Sequence, residues 1–334
     1  MPEDFRCYLV TREGDRVTAG ITRRPMSELP TGDVLIRVQF SSVNYKDAMA
    51  ATGNPGVARK LPHVPGIDAA GVVVESTRAD LPVGTEVVVT GRELGVERWG
   101  GWAEYLRIPG EWALRRPQAL TLEDAMTIGT AGFTAAQCLL AVRSHGVRPP
   151  DGDIVVTGAT GGVGSLAVKL FASQGYRVVA VSGKADKHEW LRQLGAAEVI
   201  DRSAVLDSSS RPLLSARWAG AVDTVGGAML ASVVKGTLHR GCVAACGVVG
   251  GPELPLNVYP FILRGVTLAG IDSAWCPEDR RRVIWELLST SWKPNDLAVQ
   301  RTVVDLDQVA DVVPKILAGE VSGRTVVRVA TEND

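Results

Sequence analysis

The residues in this sequence best suited to chemistry are a run of glycines. Gly158-Ala159-Thr160-Gly161-Gly162-Val163-Gly164 follows an apolar, β-branched stretch, Ile154 to Thr157, and leads into Val163, Leu166, Ala167, Leu170 and Phe171 at helical spacing. The hydrophobic period switches from that of a strand to that of a helix across the glycines, which predicts strand, tight turn and helix. A helix start reached through such a turn presents unpaired backbone N–H groups to an anion, so the segment reads as the pyrophosphate cradle of a dinucleotide. Strictly framed, the Gly-x-Gly-x-x-Gly pattern falls on Ala159, Gly161 and Gly164, with Gly158 one residue ahead of the alanine. Thr160, Gly161, Gly162 and Val163 are the expected phosphate contacts.

Which dinucleotide is a question of charge at the end of the second strand, about twenty residues further on, where an acidic residue commonly binds the ribose 2′-hydroxyl of NAD. Ser182-Gly183-Lys184 stands there instead. With no carboxylate to repel it, a 2′-phosphate could be received by the Ser182 hydroxyl, local amides and the Lys184 ammonium, with Arg202 closing the site. NADPH is therefore expected over NADH. The competing reading makes Lys184 and Arg202 ordinary solvated cations. Ligands in parallel α/β sheets lie beyond the carboxyl ends of the strands, which adds Gly247, Val248 and Ser273 as contacts for the nicotinamide half.

The elements that must position these residues fall into two textures. Residues 1–120 alternate short strand-like runs, Val34 to Phe40, Gly71 to Glu75 and Thr85 to Thr90, with turn residues, which suggests a compact β domain. A helical stretch from Thr121 through Leu140 then opens a region of alternating strands and helices, the rhythm of a doubly wound parallel sheet. Strand-like Val303 to Leu306 and Thr325 to Val329 suggest that the end of the chain rejoins the first domain. The expected division is 1–120 with 301–334 against 121–300. A chain of 334 residues suits two domains, and 46% hydrophobic residues allow a substantial core. Lys plus Arg number 36 against 37 Asp plus Glu, a balance with no field to attract nucleic acid or an anionic membrane, so a small-molecule partner is expected. An acidic amino terminus and no apolar stretch read as long enough to span a bilayer point to a cytoplasmic location. Cys7, Cys138, Cys242, Cys246 and Cys276 are odd in number and form no Cys-x-x-Cys pair, which argues against a disulfide framework or a structural zinc lobe.

Ser42-Val43-Asn44-Tyr45-Lys46-Asp47, Pro62-His63-Val64-Pro65-Gly66-Ile67-Asp68-Ala69-Ala70-Gly71, Trp99 to Tyr105, Val181 to Lys184, Trp218 to Gly226, Gly241 to Gly247, Pro260 to Arg264 and Gly323-Arg324-Thr325 together resemble the medium-chain dehydrogenase/reductase superfamily. Within it the sequence is most similar to the quinone-oxidoreductase-like branch and its acrylyl-CoA reductase group. The resemblance implies an α/β architecture: a GroES-like β domain built from both chain ends, a Rossmann domain between them, and NADPH in the cleft. Zinc alcohol dehydrogenases of the superfamily carry a cysteine where Asn44 stands and a His-Glu pair where Ile67 and Asp68 stand, so the resemblance implies a zinc-free enzyme. It carries over Tyr45 as the tyrosine next to the nicotinamide and Arg324 as an arginine near the cofactor.

Chemistry without a metal favours an activated carbon–carbon double bond. The β-carbon of an enoyl thioester already accepts hydride, charge moves onto the carbonyl oxygen, and the enzyme has to position, stabilise that oxygen and supply a proton. Tyr45 could hold the ring or that oxygen by its hydroxyl, and Asn44 could donate an amide hydrogen bond nearby. Tyr45 as a core aromatic, Asn44 and Asp47 as helix caps, and Arg324 in a tail ion pair are the plainer alternatives. The Arg280-Arg281-Arg282 run could meet the phosphates of a CoA thioester or form a solvated helix face, and Trp99, Trp102 and Trp112 could line a substrate mouth or pack the β domain. The leading expectation is NADPH-dependent reduction of a short 2-enoyl-CoA such as acrylyl-CoA. A quinone or enone reductase is the enzymatic alternative, and a non-catalytic NADPH-binding protein the alternative of another class. A homodimer is expected through the strand at Val266 to Ile271, an apolar edge that wants a partner.

Overall fold

The computed structural model describes residues 2–209 and 211–329. In chain order it begins with a hairpin of β1 (Asp4–Glu13) and β2 (Arg16–Pro25), followed by β3 (Val34–Val43) and the short helix α1 (Tyr45–Ala51). Four more strands follow, β4 (Asp68–Ser76), β5 (Glu86–Thr90), β6 (Tyr105–Ile108) and β7 (Leu114–Arg115). After the kinked helix α2 (Leu122–Ser144), strands and helices alternate: β8 (Asp153–Val156), α3 (Gly162–Ser173), β9 (Val178–Val181), α4 (His188–Gln193) and β10 (Glu198–Ile200). The alternation continues through β11 (Trp218–Asp223), α5 (Gly227–Lys235), β12 (Thr237–Ala245), α6 (Tyr259–Arg264) and β13 (Thr267–Gly270). The chain ends on α7 (Glu278–Ser289), β14 (Arg301–Asp305), α8 (Val309–Leu317) and β15 (Arg324–Arg328).

Two compact units result, one of residues 1–130, 274–289 and 296–334 and one of 131–273 and 290–295. This differs from the division expected from sequence, since residues 121–130, 274–289 and 296–300 belong with the first unit. The reason for α2 is local: Gly129 takes φ +47° and ψ −156° inside the helix, and the two halves of α2 fall in different units. Helix α2 is also long and apolar enough to cross a membrane, which the sequence reading had not credited to any segment; 83% of its most apolar window is buried inside the protein.

The first unit is built on a sheet of order β14-β15-β3-β4-β5-β7, with β6 also pairing β3. Strand β15, from the end of the chain, lies antiparallel to β3, with Thr325 opposite Val43 and Val326 opposite Ser42. Its core gathers Phe5, Val34, Ile36, Val38, Val73, Val87, Leu106 and Ile108 from the strands, and Trp102 from the segment before β6.

The second unit carries a six-stranded parallel sheet of order β10-β9-β8-β11-β12-β13. Residues Val178 to Val181 are all buried, as befits a strand covered by helices on both faces. Counted from β8, the order is 3-2-1-4-5-6, so the direction of winding reverses between β8 and β11, and the crevice beyond the carboxyl ends of those strands is where such sheets bind ligands.

Candidate active site

The second unit places the glycine turn beyond the end of β8. Gly158 has φ +58°, the left-handed conformation that only glycine adopts freely, and a Cβ there would collide with Thr224 Oγ1. Gly158 thus takes the tight-turn role that the strict motif frame assigns to the next position, and Ala159 is buried. Gly164 lies against the Gly158 carbonyl so closely that no Cβ fits, which lets α3 pack on the sheet. Gly161 caps α3 without a side-chain hydrogen bond, so the first amides of the helix, those of Gly162 and Val163, face outward for an anion. The turn is braced from below. Thr157 Oγ1 donates to buried Asp223 at 2.7 Å and accepts from Thr224 N at 3.1 Å, and Asp223 also accepts from Gly226 N at 2.7 Å. Burial pushes the Asp223 carboxyl up, and these donors oppose the shift.

At the end of β9 the buried Ser182 hydroxyl accepts from Lys184 N at 3.1 Å, curling the strand end into a small cup. Arg202 lies over Gly183: a Cβ on that glycine would stand 3.0 Å from Nε and 3.3 Å from Cζ and Nη2. His188 points Nε2 at the Ser182 carbonyl at 3.4 Å. Ser182, Gly183 and the Arg202 guanidinium therefore meet at the end of β9, with Lys184 next in the chain. Further along, Gly226, Gly247, Val248, Leu230, Ala245 and Ile271 line a cavity of about 300 Å³ at the ends of β11, β12 and β13. Gly247 abuts the Thr224 carbonyl, where a Cβ would clash, and Val248 is exposed. Ser273 follows β13 two residues beyond Ile271.

The first unit contributes the start of α1. Tyr45 is the first residue of the helix and is 41% exposed, so the core-aromatic reading of it fails. Asn44 is the N-cap. Its Nδ2 lies 2.9 Å from Asp68 Oδ2, 3.0 Å from Asp47 Oδ2 and 3.2 Å from Ser42 Oγ, and its Oδ1 accepts from Arg324 Nη1 at 3.1 Å. That corrects the expectation of Asn44 as a donor to substrate, because its amide hydrogens are already engaged inside the protein. Asp47, fully buried, accepts from Asn44 N at 2.8 Å with one oxygen and from Ile67 N at 2.8 Å and Gly66 N at 3.2 Å with the other. It ties the helix start to the loop before β4.

Arg324 is corrected too. Its side chain is 2% exposed, and it donates to the Thr127 carbonyl at 3.0 Å and lies 3.8 Å from buried Asp68, which makes it an internal tie where a cofactor contact was expected. Asp68 in turn accepts from Ser42 Oγ at 2.6 Å, Thr130 Oγ1 at 2.6 Å and Thr130 N at 3.0 Å. The kink at Gly129 makes this possible, since a Cβ there would stand 2.6 Å from Asp68 Oδ2 and 3.0 Å from Arg324 Nη2. The sequence reading had noted Asp68 only by position and had missed Ser42 and Thr130. Among the described residues, no group of three or more His, Cys, Asp or Glu could hold a metal ion.

Burial, and then the nearby Asp68 carboxylate, push the Asp47 carboxyl from 3.8 up to about 7, against the pull of its Asn44 and Ile67 hydrogen bonds. The native state therefore keeps a proton that the unfolded chain releases, and this group's contribution to stability falls as pH rises from about 4 to about 7 and is level above it. Over that window the wild type should lose on the order of a few kcal/mol relative to Asp47→Asn. Thermal melts of both proteins between pH 4 and 8 check this; parallel curves would refute it.

Two more sequence expectations resolve within the first unit. Arg281, from the basic run, is 1% exposed and donates to Thr90 O at 2.9 Å, Thr90 Oγ1 at 3.0 Å and Ala274 O at 3.0 Å, so it touches neither solvent nor a substrate phosphate. Trp102 is fully buried, gives its indole N–H to the Ser42 carbonyl at 3.0 Å and meets Tyr8 edge-on at 5.5 Å, which makes it core. Trp112 is also buried, beneath the Arg98 guanidinium, while Trp99 is half-buried and bonds the Pro62 carbonyl.

A β unit that includes β15, and a 3-2-1-4-5-6 parallel sheet with a glycine turn after its first strand, are the parts of a dinucleotide-binding protein. Residues 30–118 match the family "Alcohol dehydrogenase GroES-like domain" and residues 162–290 the family "Zinc-binding dehydrogenase". The chain is 44% identical to "Probable acrylyl-CoA reductase AcuI" of Escherichia coli, with 97% of this chain and 100% of that protein covered. Among solved structures it resembles YhdH of E. coli with bound NADPH, at TM-score 0.94 and 44% identity over 97% of this chain and 100% of that one. It also resembles Bacillus subtilis yhfP with NAD bound, at TM-score 0.95 and 42% identity over 98% and 100%. The chain belongs to the medium-chain dehydrogenase/reductase family, in the group that contains this acrylyl-CoA reductase relative.

Proposed function

We propose that this chain is a zinc-independent, NADPH-dependent reductase of a short 2-enoyl-CoA, with acrylyl-CoA the leading candidate. The observation that carries the reading is the polar cluster at Asn44. Asp47 and Asp68 are saturated by N–H and O–H donors, and a buried guanidinium lies beside them, so these residues offer neither the converging lone pairs nor the negative field that a zinc ion needs. A carbonyl reduction that relies on a Lewis acid is poorly served there, whereas an enoyl thioester needs only a hydrogen-bond donor at its carbonyl oxygen.

When bound, NADPH supplies the hydride. The amides of Gly162 and Val163 would hold its pyrophosphate, with Thr160 and Gly161 at the turn. Ser182, Gly183, Lys184 and Arg202 would receive the 2′-phosphate, and Gly247, Val248 and Ser273 would border the nicotinamide half. Tyr45 would hold its hydroxyl on the thioester oxygen, where charge accumulates as hydride arrives. Water remains the plainest source of the α-proton. The same donor could serve a quinone or enone, and tight NADPH binding with no turnover on any acceptor would favour a non-catalytic role.

The test is NADPH oxidation by purified protein with acrylyl-CoA beside benzoquinone, with NADH in parallel. Faster turnover on the thioester is the expected result, and preference for the quinone would overturn the substrate assignment.

The protein is further proposed to work as a cytoplasmic homodimer. Strand β13 pairs only with β12 among the described residues, and the neighbouring α6 exposes Tyr259, Ile262 and Leu263. A second copy pairing across that edge would cover both. Its five cysteines form no disulfide among the described residues, and Cys7, Cys138, Cys242 and Cys276 are buried, which suits a reducing compartment. Sedimentation as a monomer at micromolar concentration would refute the dimer.

A further inference from the structure

We infer that Asp68 and Arg324 are positioning residues that set the place of Tyr45 by fixing Asn44 between them. The inference rests on the proposed role of Tyr45. Three features carry it.

The first is that the pair dictates how the Asn44 amide is turned. Arg324 Nη1, a donor only, faces Oδ1 at 3.1 Å, and Asp68 Oδ2 faces Nδ2 at 2.9 Å. A flipped amide would put donor against donor and carboxylate against carbonyl oxygen. The second is that Asn44 is the cap of the helix on which Tyr45 is the first residue, and its own backbone N–H is held by Asp47 at 2.8 Å. Side chain and main chain of the residue before Tyr45 are thus both fixed, with Asp47 Oδ2 also 3.0 Å from Asn44 Nδ2. The third is that the pair is itself immobilised: Asp68 by Ser42 and Thr130, Arg324 by the carbonyls of Thr127 and Val43, at 3.0 and 3.4 Å. The exposed tyrosine therefore stands on a rigid, buried foundation, which is how a reacting group is kept in register without a metal to anchor it.

The experiment is a double-mutant cycle on the full chain with saturating NADPH and acrylyl-CoA, using Asp68→Asn, Tyr45→Phe and the pair together. Tyr45→Phe is expected to lower kcat by about 100-fold, as removal of an oxyanion donor does. Asp68→Asn is expected to lower kcat by about 10-fold, with the KM for NADPH within about 2-fold of wild type, and to have no further effect once Tyr45→Phe is present. If Asp68→Asn lowers kcat by the same factor in both backgrounds, Asp68 does not act through Tyr45 and the inference is overturned. Unchanged kcat in Tyr45→Phe alone would instead remove the proposed role of the tyrosine, so the two failures are separable. Should Asp68→Asn not fold, Ser42→Ala takes its place. It removes the hydrogen bond to Asp68 and the acceptor 3.2 Å from Asn44 Nδ2, leaves the ion pair, and is read by the same criterion with an expected kcat effect of about 3-fold.

Discussion

Asp68→Ala is expected to lower the thermal midpoint of the first unit by about 10 °C, a loss of about 3–5 kcal/mol. Removing that carboxylate leaves the Arg324 guanidinium fully buried with no counter-charge within reach but Asp47, and it takes away the acceptor to which the Ser42 and Thr130 hydroxyls and the Thr130 amide donate. Burial already holds the Arg324 pKa below its ordinary range, and the Asp68 carboxylate is the larger of the two groups that oppose this. An uncompensated buried cation costs more than its pair contributed, so Asp68→Ala combined with Arg324→Met should recover part of the loss. Calorimetry of the two single variants and the double one decides the matter. A midpoint for Asp68→Ala within about 2 °C of wild type would show that water or Asp47 replaces the missing charge.

That cluster also shows where sequence reading stops. The nucleotide half was legible because its signals are local: a β-branched run, glycines, then apolar residues at helical spacing, all inside about twenty residues. Only the frame slipped, since the turn needs a positive φ at Gly158 and the motif is counted from the next residue. Strands β8, β9 and β11 were legible for the same reason, being apolar on both faces. The hairpin of β1 and β2 was not seen as such, because β2 buries none of its residues fully and shows no clean alternation. The Asn44 cluster had no local signal at all. Arg324 reaches Asn44 across 280 residues, and the site exists only because β15 pairs with β3 and α2 breaks at Gly129. Arg281 misled for the opposite reason. Three consecutive arginines look solvated, yet the middle one finds the carbonyls of Thr90 and Ala274 and is buried, while Arg282 stays exposed in a pair with Glu278.

Arg202→Ala is expected to raise the KM for NADPH by about 10- to 100-fold while leaving that for NADH within about 2-fold, since a charge-assisted contact to phosphate contributes about 1.5–3 kcal/mol and NADH has no 2′-phosphate to lose it. The geometry supports a graded companion. Gly183→Ala would place a methyl 3.0 Å from Arg202 Nε and 3.3 Å from Cζ, tighter than ordinary contact, so the guanidinium has to shift by a few tenths of an ångström rather than leave. A smaller loss for NADPH, about 3-fold, should follow, again with NADH spared. Ser182→Asp carries the argument to its other end. It introduces at the end of β9 the carboxylate that NAD enzymes use on the ribose, beside Lys184 and Arg202, and should exclude the 2′-phosphate by repulsion while offering NADH an acceptor. The measurement is kcat/KM for the two cofactors across the three variants. Equal losses on NADPH and NADH would mean that Arg202 supports the strand end without touching the nucleotide, and the cofactor preference would then have to come from Lys184 and the local amides alone.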